Sequence, residues 1–135
     1  MPRLDAKTIA TLRAKLSPEQ DRIAFKEGTE RSGSSPLNAE KRDGVFHCMV
    51  CSDPLFAADA KYESGTGWPS FFAPYAEDAL ETKRDFKLIL PRTEFHCANC
   101  GAHVGHVFND GPQPTGQRWC ANGAVLDFIP AEDQD

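Results

Sequence analysis

The chain has 135 residues, 40% hydrophobic and 26% charged, with 15 Lys+Arg against 20 Asp+Glu for a formal charge of −5. This is one domain's length with material for a core. The balance excludes a disordered chain, and the acidity argues against a nonspecific grip on phosphate backbones. No apolar run approaches the roughly 18 residues of a membrane helix. The opening Met1-Pro2-Arg3-Leu4-Asp5-Ala6-Lys7 lacks a secretory apolar stretch, so a soluble cytoplasmic protein is expected, with neither membrane nor nucleic acid as partner.

In chain order, Ile9, Leu12 and Leu16 fall at helical spacing and predict a short amphipathic helix over 5–16. Ser17-Pro18-Glu19-Gln20 reads as a capping box with Pro at the first helical position, opening a second helix that ends near Gly28. Residues 29–44, rich in Ser, Gly, Pro and Asn, read as a surface loop. From Val45 onward the texture is β. Short pieces at Val45–Cys48, Phe86–Leu90, Glu94–Cys97, Gln117–Cys120 and Ala124–Ile129 are punctuated by Gly and Pro, with a helical turn expected in each of 58–60 and 74–80. An antiparallel α+β domain, mainly β, follows.

Five cysteines are an odd number. Four form two C-x-x-C pairs, Cys48/Cys51 and Cys97/Cys100, each able to supply half of a tetrahedral site. One structural Zn2+ is favoured over a rubredoxin-like iron. Two disulfides, four unrelated buried cysteines or a thioredoxin-like redox pair are the alternatives. Gly101 after Cys100 permits the tight turn that aims backbone N–H groups at sulfur.

Cys120 is left without a partner. As a strand residue it shares a face with Arg118 and Asn122. A guanidinium there is expected to lower the thiol pKa, and the amide to offer an oxyanion donor. His103 and His106, followed by Asp110, are suited to proton transfer near neutral pH, although each alone also fits a structural role. Trp68, set among Gly65, Gly67 and Pro69, is suited to form one wall of a small apolar pocket.

Gly28-Thr29-Glu30, Ser64-Gly65-Thr66-Gly67-Trp68-Pro69-Ser70-Phe71, His103-Val104-Gly105-His106-Val107-Phe108 and Arg118-Trp119-Cys120-Ala121-Asn122 occur in that order, interleaved with both Cys pairs. Together they resemble the methionine-R-sulfoxide reductase B family, from about Leu16 to Ile129. Residues 1–15 then form a helical extension and 16–135 the reductase domain. The resemblance implies two antiparallel β-sheets with short N-terminal helices and structural zinc on Cys48, Cys51, Cys97 and Cys100. The substrate would be the R epimer of methionine sulfoxide in proteins, and in blocked or free form, repaired after oxidative damage. Cys120 would be the nucleophile, with His103 and His106 on the sulfoxide oxygen. Arg118, Asn122 and Asp110 would provide support, and Trp68 and Phe108 would bind substrate.

Many family members place a resolving Cys within the Ser-Gly-x-Gly-Trp-Pro segment or just after Gly-Thr-Glu. Here those positions hold Thr66 and Arg31-Ser32-Gly33-Ser34. A one-Cys enzyme is therefore expected. Thioredoxin, or glutathione with glutaredoxin, would return Cys120 sulfenic acid to thiol, and a monomer is expected. Trp119 stands where a smaller aromatic is usual and is expected to alter pocket shape. The competing readings are a zinc-ribbon binding module and a redox-inactive ligand-binding relative of the same β fold. Neither needs an activated Cys120.

Overall fold

The computed structural model describes residues 2–86 and 91–133, the side chain of Asp133 excepted. Helix α1 (Ala6–Arg13) starts where the Asp5 carboxylate accepts the Thr8 N–H at 2.8 Å. Helix α2 (Pro18–Lys26) has both halves of the Ser17/Gln20 capping box and ends at Glu27 in left-handed conformation, one residue before the expected Gly28. It buries Ile23 and Ala24 against the core, while Ile9, Leu12 and Leu16 pack on the core's margin.

Among the described residues nine strands follow: β1 (Gly44–Cys48), β2 (Pro54–Ala57), β3 (Lys61–Tyr62), β4 (Ser70–Phe71), β5 (Leu80–Asp85), β6 (Arg92–Cys97), β7 (His103–Phe108), β8 (Arg118–Ala121) and β9 (Leu126–Pro130). They make two antiparallel sheets among the described residues, a three-stranded β2-β1-β9 and a six-stranded β3-β4-β8-β7-β6-β5. This agrees with the α+β, mainly β expectation. The expected 58–60 turn is a short 3-10 helix, but 74–80 holds no helix and instead leads into β5. The strand expected at Phe86–Leu90 lies, past Phe86, outside the described residues. β5 has outward Lys83 and Arg84 at the sheet edge, where charge discourages further pairing.

The sheets close on aromatic rings. Phe56 stacks on Phe71 at 4.0 Å, Phe46 meets Phe71 edge-on at 5.0 Å, and Phe95 joins Phe56 to Trp119. Phe46, Phe56, Phe71 and Phe95 are all fully buried. Each contributes roughly 1.5–3 kcal/mol by burial alone, which is what holds the six-stranded sheet rigid behind its other face. Trp119 points into this core, at 7% exposure. The expectation that it reshapes the pocket therefore fails: strand alternation turns it away from Cys120. No helix among the described residues is long and apolar enough to cross a membrane.

The N-terminal arm is docked. Arg3 and Leu4 donate backbone N–H to the carbonyls of Ala98 and Asn99, and the Arg3 guanidinium reaches Asp53 at 3.1 Å and the Asp78 carbonyl at 3.1 Å. Residues 3 and 4 thus bond the two residues between Cys97 and Cys100, and Arg3 also reaches the segment that follows Cys51.

Candidate functional site

The two Cys pairs converge as two copies of one turn. In each, the first Cys N–H donates five residues on (Cys48 to Asp53, 2.8 Å; Cys97 to Ala102, 2.9 Å), and its carbonyl accepts from four residues on (Ser52 and Gly101, each 2.8 Å). The residue after the second Cys is left-handed in both, Ser52 at φ 69° and Gly101 at φ 81°. The four sulfurs lie within 4.8 Å of one another, with Cys48–Cys100 at 3.7 Å and Cys51–Cys97 at 3.6 Å. A tetrahedral metal with bonds of about 2.3 Å has sulfur–sulfur edges of about 3.8 Å, so the donor set fits a four-thiolate ion. These spacings do not suit disulfides, and all five cysteines are free. Contact with the Cys100 sulfur pushes the Cys48 thiol up and pulls that of Cys51 down.

The second site is built from register. In the six-stranded sheet Tyr62 pairs with Ser70, Ser70 with Cys120, Cys120 with His106, His106 with Glu94, and Glu94 with Lys83. Directly paired residues share a face, so one row crosses the sheet with Cys120 near its middle. One position along, Phe108 pairs with Arg118, whose guanidinium lies 4.3 Å from the Phe108 ring centroid. Gly105 allows the strands to close up, because a Cβ there would collide with the Cys120 carbonyl.

Above this face lies a cavity of about 120 Å3 lined by Trp68, Phe108, His106, Arg118, Cys120 and Asn122, with Thr29, Arg92 and Gly105 completing it. A larger concavity of about 540 Å3 on the other side of Glu30 is walled by Glu40, Arg42, Asp127 and Phe128, with no thiol or imidazole in its lining. Chemistry, not size, marks the smaller one.

The polar groups in and behind the small cavity are tightly held. His106 Nε2 lies 2.8 Å from buried Asp85, which Arg92 meets at 3.3 Å. Asp85, Glu94 and His106 fall within 4.8 Å of one another. Arg92 and Lys83 neutralise the two carboxylates, so the cluster is an ion-pair network rather than a cation site. Asn122 accepts the Glu30 N–H on Oδ1 at 2.9 Å and donates one Nδ2 hydrogen to Val104 at 2.8 Å, leaving its second hydrogen for a ligand. Asp110 is exposed. It lies outside the cavity lining and fixes Arg118 through two bonds of 2.8 and 3.1 Å.

His103 is not in the cavity lining. A bulge between Phe95 and His96 brings residues three apart on β7 to one face, which sets the His103 ring 5.5 Å from that of His106, against Glu94 at 3.5 Å. The Cys120 thiol departs from expectation. Burial pushes it above its ordinary range, and the Arg118 charge, with bonds from Thr66 and Ser70, only partly offsets this. Ser70, Glu94, Asp85 and Arg92 were missed as site residues because their placement depends on which strands pair. Glu94 alone carried a signal, two residues before an expected strand His.

Residues 16–130 match the SelR domain family. The chain is 49% identical over 126 residues to the peptide methionine sulfoxide reductase MsrB of Pseudomonas fluorescens strain Pf0-1, covering 93% of this chain and 96% of the relative. It is 48% identical over 132 residues to that of Pseudomonas putida strain W619, covering 98% of each. Among solved structures, the Mis18 'Yippee-like' domain aligns at TM-score 0.50 and 18% identity over 65% of this chain and 96% of its own, a likeness of fold alone.

Proposed function

Because the chain belongs to the SelR domain family of MsrB peptide methionine sulfoxide reductases, we propose that it reduces the R epimer of methionine sulfoxide with Cys120 as nucleophile. The observation that carries this reading is the small cavity, whose lining combines one thiol, one imidazole, two guanidinium groups and two aromatic walls. Trp68 and Phe108 take the methyl group. His106, held by Asp85, donates the proton to the sulfoxide oxygen, and the free Asn122 hydrogen and Arg118 support the charge that develops.

A sulfoxide sulfur is electrophilic only when its oxygen is protonated or strongly hydrogen-bonded. The Cys120 thiolate forms a bond to that sulfur as the oxygen takes a proton. Collapse releases methionine, transfers the oxygen to Cys120 as sulfenic acid, and oxidises Cys120 by two electrons as the substrate is reduced by two. Two external thiols then become a disulfide, with release of water and return of Cys120 to thiol. With Thr66 where a resolving Cys would stand, those thiols come from thioredoxin or from glutathione with glutaredoxin. His103 acts from behind His106. Zn2+ on Cys48, Cys51, Cys97 and Cys100 is a structural cross-link that takes no part in these steps.

Single-turnover reaction with separate R and S epimers of a blocked methionine sulfoxide, without reductant, tests the reading. About one methionine per chain from the R epimer alone is expected; product from the S epimer, or none from either, overturns it.

A further inference from the structure

The Gly28-Thr29-Glu30 segment has no role in the chemistry above, yet its last residue touches three parts of the pocket at once. Glu30 is 2% exposed. Its Oε1 accepts the Ala124 N–H at 2.8 Å, in the turn that follows β8. Its backbone N–H donates to Asn122 Oδ1 at 2.9 Å, and its carbonyl accepts the Trp68 indole N–H at 3.0 Å. The next residues continue the seam, with Ser32 Oγ donating to the Thr66 carbonyl and Gly33 N–H to the Gly67 carbonyl, each at 2.7 Å.

We propose that Glu30 is a positioning residue for the thiol pocket: its carboxyl anchors the segment to the turn after β8, so that its main chain holds Trp68 and Asn122 in place around Cys120. The proposal rests on the reading of that pocket as the methionine sulfoxide site. Pro69 and Ala121, the neighbours of Trp68 and Asn122, share one backbone bond of 2.9 Å; the Glu30 peptide links the indole and the amide themselves, and the Glu30 side chain ties that peptide to the turn beyond β8. The indole N–H is the sole polar group on the Trp68 side chain, so losing its acceptor frees the ring to turn. Burial pushes the Glu30 carboxyl up, and its Oε2 has no hydrogen-bond partner. The anchor is an acceptor at Oε1, and an amide of the same shape keeps that acceptor and should replace it.

The test uses the full metal-loaded chain in a Trp119→Phe background. The chain has two tryptophans, so Trp68 is then the only indole, and excitation at the red edge of tryptophan absorption, beyond that of the two tyrosines, reads it alone. Trp119 faces the core, and this background is expected to keep the parent KM. Glu30→Ala should raise KM for a methionine sulfoxide peptide roughly fivefold or more, with a smaller change in kcat, and should red-shift Trp68 emission and increase its quenching by acrylamide. Glu30→Gln should restore both readouts. Should Glu30→Ala fail to fold, Glu30→Asp, one methylene too short to reach Ala124, takes its place with the same expectations. Parent KM and parent emission in the Ala or Asp variant would overturn the proposal, and so would a Gln variant as impaired as Ala. If the parent itself reduces no sulfoxide, the functional reading fails, while the emission and quenching readouts still decide whether Glu30 holds Trp68.

Discussion

The four-cysteine end and the Cys120 end of this molecule are assembled by opposite means. The Cys-pair turns are local: each is closed by two backbone bonds within six residues, and the second repeats the first. The thiol pocket draws Thr29, Trp68, Arg92, His106, Cys120 and Asn122 from segments far apart in the chain, brought together by strand register and by the bonds of the Glu30 peptide. Local turns specify ligand geometry cheaply and then staple the sheet; register specifies a reaction site only once the whole sheet has formed. The first should therefore control whether the fold exists, and the second whether it reacts.

The sharpest way to break that contrast is to cut one sulfur at each end. Cys97→Ser should lose metal and unfold the domain, since four-thiolate binding in small domains contributes on the order of 10 kcal/mol to folding. Cys120→Ser should keep metal content and thermal midpoint and form no methionine. Metal analysis, circular dichroism and single-turnover assays read both, and a folded, metal-free Cys97→Ser protein would show that the staple is dispensable.

An intermediate effect concerns the thiol's titration. Burial raises the Cys120 pKa and the Arg118 charge lowers it. Its alkylation by iodoacetamide should thus accelerate as pH rises through a midpoint above the ordinary thiol value. Removing the lowering influence in Arg118→Met should move that midpoint higher still. A downward shift would mean that Arg118 does not act on the thiol.

The smallest effect separates the two turns. Ser52 adopts a left-handed conformation that Gly101 occupies without strain. Ser52→Gly should stabilise slightly, by up to about 1 kcal/mol, and Gly101→Ala should destabilise by about 1–2 kcal/mol. Gly101 also faces Pro2, to which an added Cβ would come within 3.1 Å. Denaturant midpoints of the metal-loaded variants measure both.

What could be read beforehand follows the same division. The Cys pairs, the Ser17 capping box and the shared face of Arg118 and Cys120 depend on spacings of a few residues, and all were legible. β5 was not, because Leu80-Glu81-Thr82-Lys83-Arg84-Asp85 is a charged edge strand with no apolar alternation. Nor was the division between His103 and His106, which a bulge in the pairing of β6 with β7 decides. Trp119 looked like a pocket residue by its place next to Cys120, and strand alternation put it on the opposite side. Glu30 showed no chemistry of its own, because its bonds run to residues 92 and 94 positions away.

The alternation along β8 also bears on how the gene can change. Arg118 and Cys120 face the cavity, while Trp119 packs edge-on against Phe95 in the aromatic core. One residue inserted within this strand would rotate the thiol into the aromatic core and expel the indole into the cavity, with no intermediate register available. The same insertion in the loop of residues 112–116 would leave the alternation along β8 unchanged. Along its lineage, then, length should drift in the loops, whereas the thiol strand should accept substitutions but not insertions or deletions.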